Sequence, residues 1–587
     1  MNNKLMKIEL DYKREITLDQ VEAVAKGEAR VGLSEESQKV IDERRTQLER
    51  FIEKQGFPAY GFNRGFGHNV DLQVKPEHLS QLQENLIISH AVGMGDPVSS
   101  EIVRVMILLR AQSLSRGYSG IRSKVIIQLL NLLNHDILPV IPEMGSVGAS
   151  GDLAPLSHLA LGLLGLGKVH HQGRLVEASD ALTAAGLEPL KLEMKEGLAL
   201  NNGIQFMTAI GLYCCQQMQT YLKTACVHTA MTAQVMLSTE TPFREDLHQL
   251  RPHPGSVKTA RWIKALMEES PLREAHRDYC IDGEIQDPYN IRCAAQILGS
   301  CAELIDECEL TLLREANSVT DNPIILPIIA DTRETSKSEY QGQFVDIVSG
   351  GHFHGMPVAV RLYNLIQAMG IMAGLTNQRC ARFVDDTRNK GLGRDLKWPD
   401  LPEEIKAISS AMMMPEYSSA ALANAIWGEA MPSHLFNIST NTGQEDHVSM
   451  GAGLAIRILK ALPKMSYILA IELAYISQAA AIRRKLDFIP SKVPVSKEVK
   501  DHFEDIKKEF RKKTNPFSLD IQVKEKYPVA KANRRLNKVG ECILKEVFRI
   551  FPTVKEDCIL SDKLGSLANL ISNGNVVRTA SEFIDFK

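Results

Sequence analysis

The chain has 587 residues, 44% of them hydrophobic, enough for a large buried core and roughly three to four domain-sized units unless one long bundle takes most of it. Its 68 basic and 71 acidic side chains are interleaved and sum to −3, which argues against a nucleic-acid partner or an anionic membrane surface. The 10 cysteines include no CxxC pair, so free thiols in a reducing cytoplasm are expected rather than a disulfide framework or a structural zinc site.

The opening MNNKLMKIELDYKR has no long apolar stretch and no small-residue cleavage site, so no signal peptide is expected. The segment KIELDYKR reads as a short strand and LDQVEAVA as a helix, with Thr17 and Gln20 spaced as a capping box. Residues 99–135 carry Leu, Ile and Val at helical spacing, with a break near Gly117 and Gly120. Long runs free of proline at Phe206–Ser238, Ala294–Asn317 and Val358–Asn377 are rich in Ala, Leu, Met and Gln, strong helix formers. A fourth helix is predicted over Val448–Arg484, bent at Pro463. Apolar residues extend around much of each circumference, as in helices buried within a bundle. The stretch Ile468–Ile482 carries Glu472 and reads as too short to span a bilayer. These readings predict a mainly α protein: an N-terminal domain over 1–205, a central helical bundle over 206–489 and a C-terminal extension over 490–587. In that extension the charged run Lys507–Lys513 reads as a solvated helix face.

The most unusual segment is GSVGASGDLAP, Gly145–Pro155. A tight loop entering a helix, with Asp152 as cap and Pro155 in the first turn, accounts for small residues by itself. The order Ala149-Ser150-Gly151 adds a chemical possibility. In a bent loop the amide nitrogen of Gly151 can attack the carbonyl carbon of Ala149, and glycine leaves that nitrogen unhindered. Loss of water closes a five-membered ring. Loss of a second water, from Ser150, leaves an exocyclic methylene. The product is 4-methylidene-imidazol-5-one, an electrophile that no ordinary side chain supplies.

This segment resembles the signature of the ammonia-lyases acting on histidine, phenylalanine and tyrosine. Further segments match in the family's order: YGFNRGFG at Tyr60, NLIISHAVGMG at Asn85, EGLALNNG at Glu196, QDPYNIRC at Gln286, NSVTDNP at Asn317, GGHFHG at Gly350 and QEDHVSMG at Gln444. The resemblance implies the helical fold of the fumarase/aspartase-like superfamily. It also implies a small-molecule amino-acid substrate, a self-made prosthetic group without external cofactor or metal, and a homotetramer whose subunits share active sites.

The reaction so implied removes ammonia from an α-amino acid together with a weakly acidic β-proton. Tyr60 sits where the family carries its catalytic base; its ordinary pKa near 10 requires stabilisation of the phenolate. Asn202 resembles the family asparagine beside the prosthetic group. Tyr289 and Arg292 resemble positions that support the ring and grip the substrate carboxylate, a task that suits a guanidinium fork. Gln286 and Phe353 resemble further pocket positions. Asp287 and Asp321 read as structural capping carboxylates. Three features depart from the family pattern: Arg64 stands where threonine or serine is usual, His352 replaces the asparagine before Phe353, and the C-terminal extension is unlike the compact end of bacterial histidine lyases.

Ser89-His90 and Glu445 resemble the histidine-specific pattern. An imidazole needs polar partners for two ring nitrogens, whereas a phenyl ring would leave His90 and Glu445 desolvated and unpaired. Conversion of histidine to trans-urocanate is therefore the leading expectation. A phenylalanine or tyrosine lyase and a 2,3-aminomutase share most of the motifs. A non-catalytic scaffold fits poorly with an intact Ala-Ser-Gly and Tyr60.

Overall fold

The computed structural model describes residues 5–55, 62, 73–148, 151–274, 286–327, 345–486, 488–491, 525–528 and 530–586. Tyr60, Arg64, Ala149, Ser150 and the run Lys507–Lys513 lie outside them. The chain divides into two compact units, the first made of residues 1–215, 307–364 and 432–459, the second of 216–306, 365–431 and 460–587. The division falls within the four longest helices, Gln205–Val235, Ala294–Ala316, Met356–Val384 and Gly451–Lys485. These are the four long helices expected from composition, with ends shifted by a few residues, and the architecture is mainly α as predicted.

In the first unit, strand Met6–Leu10 pairs in parallel with Ala29–Leu33, and helix Leu18–Ala25 connects them. The connecting helix has the predicted capping box: Gln20 N donates to Thr17 Oγ1 at 3.3 Å, and Thr17 N donates to Gln20 Oε1 at 3.0 Å. Ile8, Leu10 and Val31 turn inward and are buried. Helix Ser100–Ser115 is buried on nearly all sides, which is why its sequence shows little polar periodicity. It ends at Gly117, and Ser123–Asn134 begins a new helix after Gly120, both glycines at positive φ. At Gly120 a Cβ would lie 2.6 Å from Leu48 Cδ2, so packing and backbone both demand glycine there.

The second unit packs its share of the long helices with Pro254–Met267 and the C-terminal helices Lys538–Ile550, Ser561–Ser572 and Asn575–Ser581. Asn537 joins these parts. Its Oδ1 accepts from Gly540 N at 3.1 Å, and its Nδ2 donates to Leu266 O at 2.9 Å and Glu268 O at 3.0 Å. Trp262 is buried and meets the Phe586 ring edge-on at 5.3 Å.

One expectation needs correcting. Helices Met356–Val384 and Gly451–Lys485 are long and apolar enough to cross a membrane by length and composition, yet 61% and 94% of their apolar windows are buried inside the protein. The stretch around Glu472 read as short only because that carboxylate interrupts it. Arg379 and His228 meet Glu472 with all three side chains fully buried, so the buried helix continues past it. Pro463 lies inside the helix, with Ser466 Oγ donating to its carbonyl at 2.8 Å.

Candidate functional site

The first unit assembles the loop around Gly151 from distant segments. On its leading side, Gly148 O accepts from Ser449 Oγ at 3.1 Å and Gly355 N at 3.3 Å, and Val147 O accepts from Met450 N at 2.9 Å. Added atoms here would have to displace side chains: a Cβ on Gly148 would stand 2.1 Å from Ser449 Oγ, and one on Gly355 would stand 2.7 Å from Met207 Cε. On the trailing side, Gly151 has φ +84°, and a Cβ there would fall 2.2 Å from Gly203 O and 2.6 Å from Gly203 N. Backbone cannot yield as a side-chain tip does, so only glycine fits. Asp152 N then donates to the same Gly203 O at 2.5 Å.

Asp152 stands at the start of helix Leu153–Leu163 without capping it. Its carboxylate instead accepts from Ser146 Oγ at 2.6 Å and from Met207 N, in the first turn of Gln205–Val235, at 3.0 Å. The capping reading thus fails on geometry, because the side chain closes the loop behind it and caps a different helix. Desolvation pushes this fully buried carboxyl up to about 6, against the lowering effect of its hydrogen bonds.

Asn202 is buried and closes the short helix Glu196–Asn201, immediately before Gly203. Its neighbourhood is ionic in a way the sequence did not announce. Lys195, in a left-handed conformation at φ +74°, is fully buried and pairs with Asp321 at 2.7 Å. Asp321 therefore serves as an ion-pair partner rather than as the expected cap, although its Oδ1 also accepts from Asn322 N at 2.7 Å. Asp287 likewise acts at long range rather than as a local cap, its Oδ2 accepting from Thr239 N, 48 residues away, at 2.8 Å.

His90 ends helix Leu79–His90, and Ser89 Oγ lies 3.0 Å from its Nδ1. Burial lowers the His90 pKa below its ordinary value, opposed in part by a hydrogen bond to Leu86 and by the charge of Glu445. The ring is therefore neutral near pH 7 and offers one donor and one acceptor. Glu445 is half-buried, and Thr440 Oγ1 donates to its Oε2 at 2.6 Å while the two backbones pair as an isolated bridge. Phe353, also half-buried, precedes His354, whose Nδ1 accepts from Met356 N at 3.3 Å and whose Nε2 donates to His447 O at 2.9 Å. Thus the loop bearing Phe353 is tied to the loop bearing Glu445.

Gln286, Tyr289 and Arg292 belong to the second unit. Arg292 Nε donates to Asp287 O at 2.9 Å, and its guanidinium lies 4.6 Å from the Tyr289 ring centroid. Gln286, Asp287 and Arg292 line a cavity of about 610 Å³ with Thr239 and Arg244. Among the described residues no group of three or more His, Cys, Asp or Glu is placed to hold a metal ion.

Sequence reasoning missed Arg110, Lys195 and Ser449. An arginine inside VRVMILLRAQSL was a usable signal, since a charge on an otherwise apolar helix requires partners.

The aromatic amino acid lyase family model matches residues 16–508. Histidine ammonia-lyase of Deinococcus radiodurans is 39% identical over 465 residues, covering 79% of this chain and 84% of that protein. The crystal structure of histidine ammonia-lyase from Trypanosoma cruzi is similar at a TM-score of 0.78 and 28% identity, covering 99% of this chain and 96% of that one. Tyrosine aminomutase of Streptomyces globisporus is similar at a TM-score of 0.81 and 26% identity, covering 99% and 100%. A glycine-bound loop clamped from both sides, ordered motifs around it and a family match over most of its length lead to one assignment: this chain belongs to the aromatic amino acid lyase family.

Proposed function

We propose that the chain is a histidine ammonia-lyase, converting L-histidine to trans-urocanate and ammonia with an electrophile made from its own Ala149, Ser150 and Gly151. Gly151 supports the prosthetic group, because its backbone lies against Gly203 where any side chain would collide. Once formed, that group would supply an electrophilic carbon suited to activating the substrate amine as a leaving group. The surrounding residues do the rest. Tyr60 takes the β-proton as phenolate. The Asn202 amide would hold the ring carbonyl, Arg292 would hold the substrate carboxylate, and Tyr289 would support the ring. Gln286 and Phe353 complete the pocket.

What supports histidine as the substrate is that Ser89-His90, at the end of helix Leu79–His90, and the half-buried Glu445 belong to the same unit, with the Glu445 charge reaching the His90 ring. A neutral imidazole and a carboxylate can together satisfy both nitrogens of a substrate imidazole, and a phenyl ring satisfies neither. Sites of this kind discriminate by about 10⁴-fold or more. The name of the Deinococcus radiodurans relative supports the same choice. Likeness to a tyrosine aminomutase keeps isomerisation as the second reading.

We further propose a cytoplasmic homotetramer. Buried free thiols fit a reducing compartment. An apolar groove of about 670 Å³ in the second unit, lined by Ile297, Ile371 and Trp427, fits burial against another subunit.

The test is incubation with histidine, phenylalanine and tyrosine, with product identification and kcat/KM for each. Urocanate as the main product, and loss of the preference for histidine in Glu445→Gln, are expected. A β-amino acid product indicates a mutase, and better turnover of phenylalanine or tyrosine sinks the substrate assignment. Intact mass should fall short of the encoded value by two waters, and Ser150→Ala should abolish activity while restoring at most one water. Tyr60→Phe should keep the mass deficit but lose at least about a hundredfold in turnover. Near-normal turnover in that variant would place the base elsewhere.

A further inference from the structure

Arg110 lies in the middle of helix Ser100–Ser115 and is fully buried. Its Nη2 donates to Ala199 O, and its Nη1 donates to Gln205 Oε1 at 3.0 Å. One guanidinium thus reaches both ends of the segment that runs from Ala199 through Asn202 and Gly203 to Gln205. Gln205 is fixed in turn, its Nε2 donating to Thr320 Oγ1 at 2.7 Å. Space beside Gly203 is tight: a Cβ there would lie 2.3 Å from both Arg110 Nη1 and Gln205 Oε1. Gly203 is therefore held between the guanidinium on one side and Gly151 on the other.

The charge balance at this point is unusual. Lys195 and Arg110 are both fully buried, and the carboxylate that acts on both is Asp321, already paired with Lys195 at 2.7 Å. Arg110 Nε has no hydrogen-bond partner among the described residues. A buried cation with an unused donor and a shared counter-charge is costly for stability alone.

We propose that Arg110 is a positioning residue for formation of the prosthetic group: its fork fixes the Ala199–Gln205 segment so that Gly203 presses on Gly151 and keeps the loop bent for ring closure. This rests on the reading that the group forms in this chain. Arg110 takes no part in the covalent step, which joins Gly151 N to the Ala149 carbonyl carbon and releases two waters in all.

Arg110→Lys keeps a cation but cannot bridge two oxygens 95 and 89 residues away in sequence as a planar fork does. Gln205→Met removes one arm of the bridge and leaves Arg110 in place. The readout is the fraction of folded molecules carrying the two-water deficit, by intact mass, with circular dichroism and Tm on the same samples. Glu472→Gln, in the other unit, serves as a control for destabilisation alone. Expected is a deficit in fewer than about half of the folded Arg110→Lys molecules, an intermediate fraction for Gln205→Met, and a complete deficit in the control at equal or lower Tm. If Arg110→Lys does not fold, Gln205→Met decides on the same criterion. A complete deficit in every folded variant overturns the proposal. So does a control that loses the deficit in proportion to its Tm, because stability alone would then set the outcome. A wild-type chain of full encoded mass overturns the underlying reading as well, which separates the two failures.

Discussion

Two buried ionic clusters use the same kinds of group and are balanced differently. In the second unit, Glu472 takes the Arg379 fork, with Nη2 to Oε2 at 3.1 Å, and also meets His228 Nδ1 at 3.2 Å. Burial would raise the Glu472 pKa, but Arg379 and His228 more than offset it and hold it below the ordinary value. In the first unit, two cations share one carboxylate; burial lowers the Lys195 pKa and brings that of Arg110 down to about 10. The balanced cluster ties long helices together, and Arg379 Nη1 also donates to Asn290 O at 3.5 Å in the short helix Tyr289–Arg292. The unbalanced cluster stands directly behind Gly203 and the prosthetic loop. On the proposed role of Arg110, stability and formation of the prosthetic group draw on different buried charges and can be separated by mutation.

The sharpest way to break this comparison is at the loop itself. Gly151→Ala places a methyl group into the Gly203 backbone at positive φ. Intact mass should return to the encoded value and turnover should fall to background, whatever the Tm. Retained activity with a full deficit would mean that the loop can relax. Next in size, Glu472→Gln should cost about 3–5 kcal/mol in denaturant unfolding, since it leaves Arg379 buried without its counter-charge. The same variant should keep the complete mass deficit.

A third effect depends on pH. Asp152, at about 6 in the folded chain against an ordinary 3.8, holds its proton more tightly when folded. Its contribution is fully favourable below the ordinary value and is lost as pH rises from there through about 6, then stays level. The loss is about 3 kcal/mol. Subtracting the stability curve of Asp152→Asn from that of the wild type should reveal a fall between pH 4 and 6, and a flat difference would refute it. Smallest, Ser449→Ala removes a donor to Gly148 O, which still accepts from Gly355 N. About 1 kcal/mol of stability and a slower appearance of the mass deficit are expected during refolding.

Much of this was legible in the sequence. The four long helices announced themselves because their composition and length leave no other period. Thr17 and Gln20 specified their capping box because both partners are three residues apart. Gly151 was identified from the chemistry of its amide. The crowding that enforces it was hidden, since Gly203 lies far along the chain. The roles of Asp152 and Asp321 were misread for a related reason. A carboxylate next to a helix start looks like a local cap, and only the fold brings Met207 N or the Lys195 ammonium to it. Likewise Glu472 looked like an interruption because its partner Arg379 is 93 residues away. Short-range patterns fix elements, whereas the pairing of buried charges is decided by packing.

The hydrogen bond from Ser449 to Gly148 joins residues 301 apart in sequence. It gives the protein a manufacturing order. On the proposed reading, the tripeptide that becomes the electrophile leaves the ribosome early, but one jaw of the clamp around it is among the later segments to be translated. A fragment released before that point would then carry the raw material and not the reactive group. Nascent chains stalled before residue 449 should accordingly weigh their encoded mass, while a deficit already present in them would show that the later jaw is dispensable.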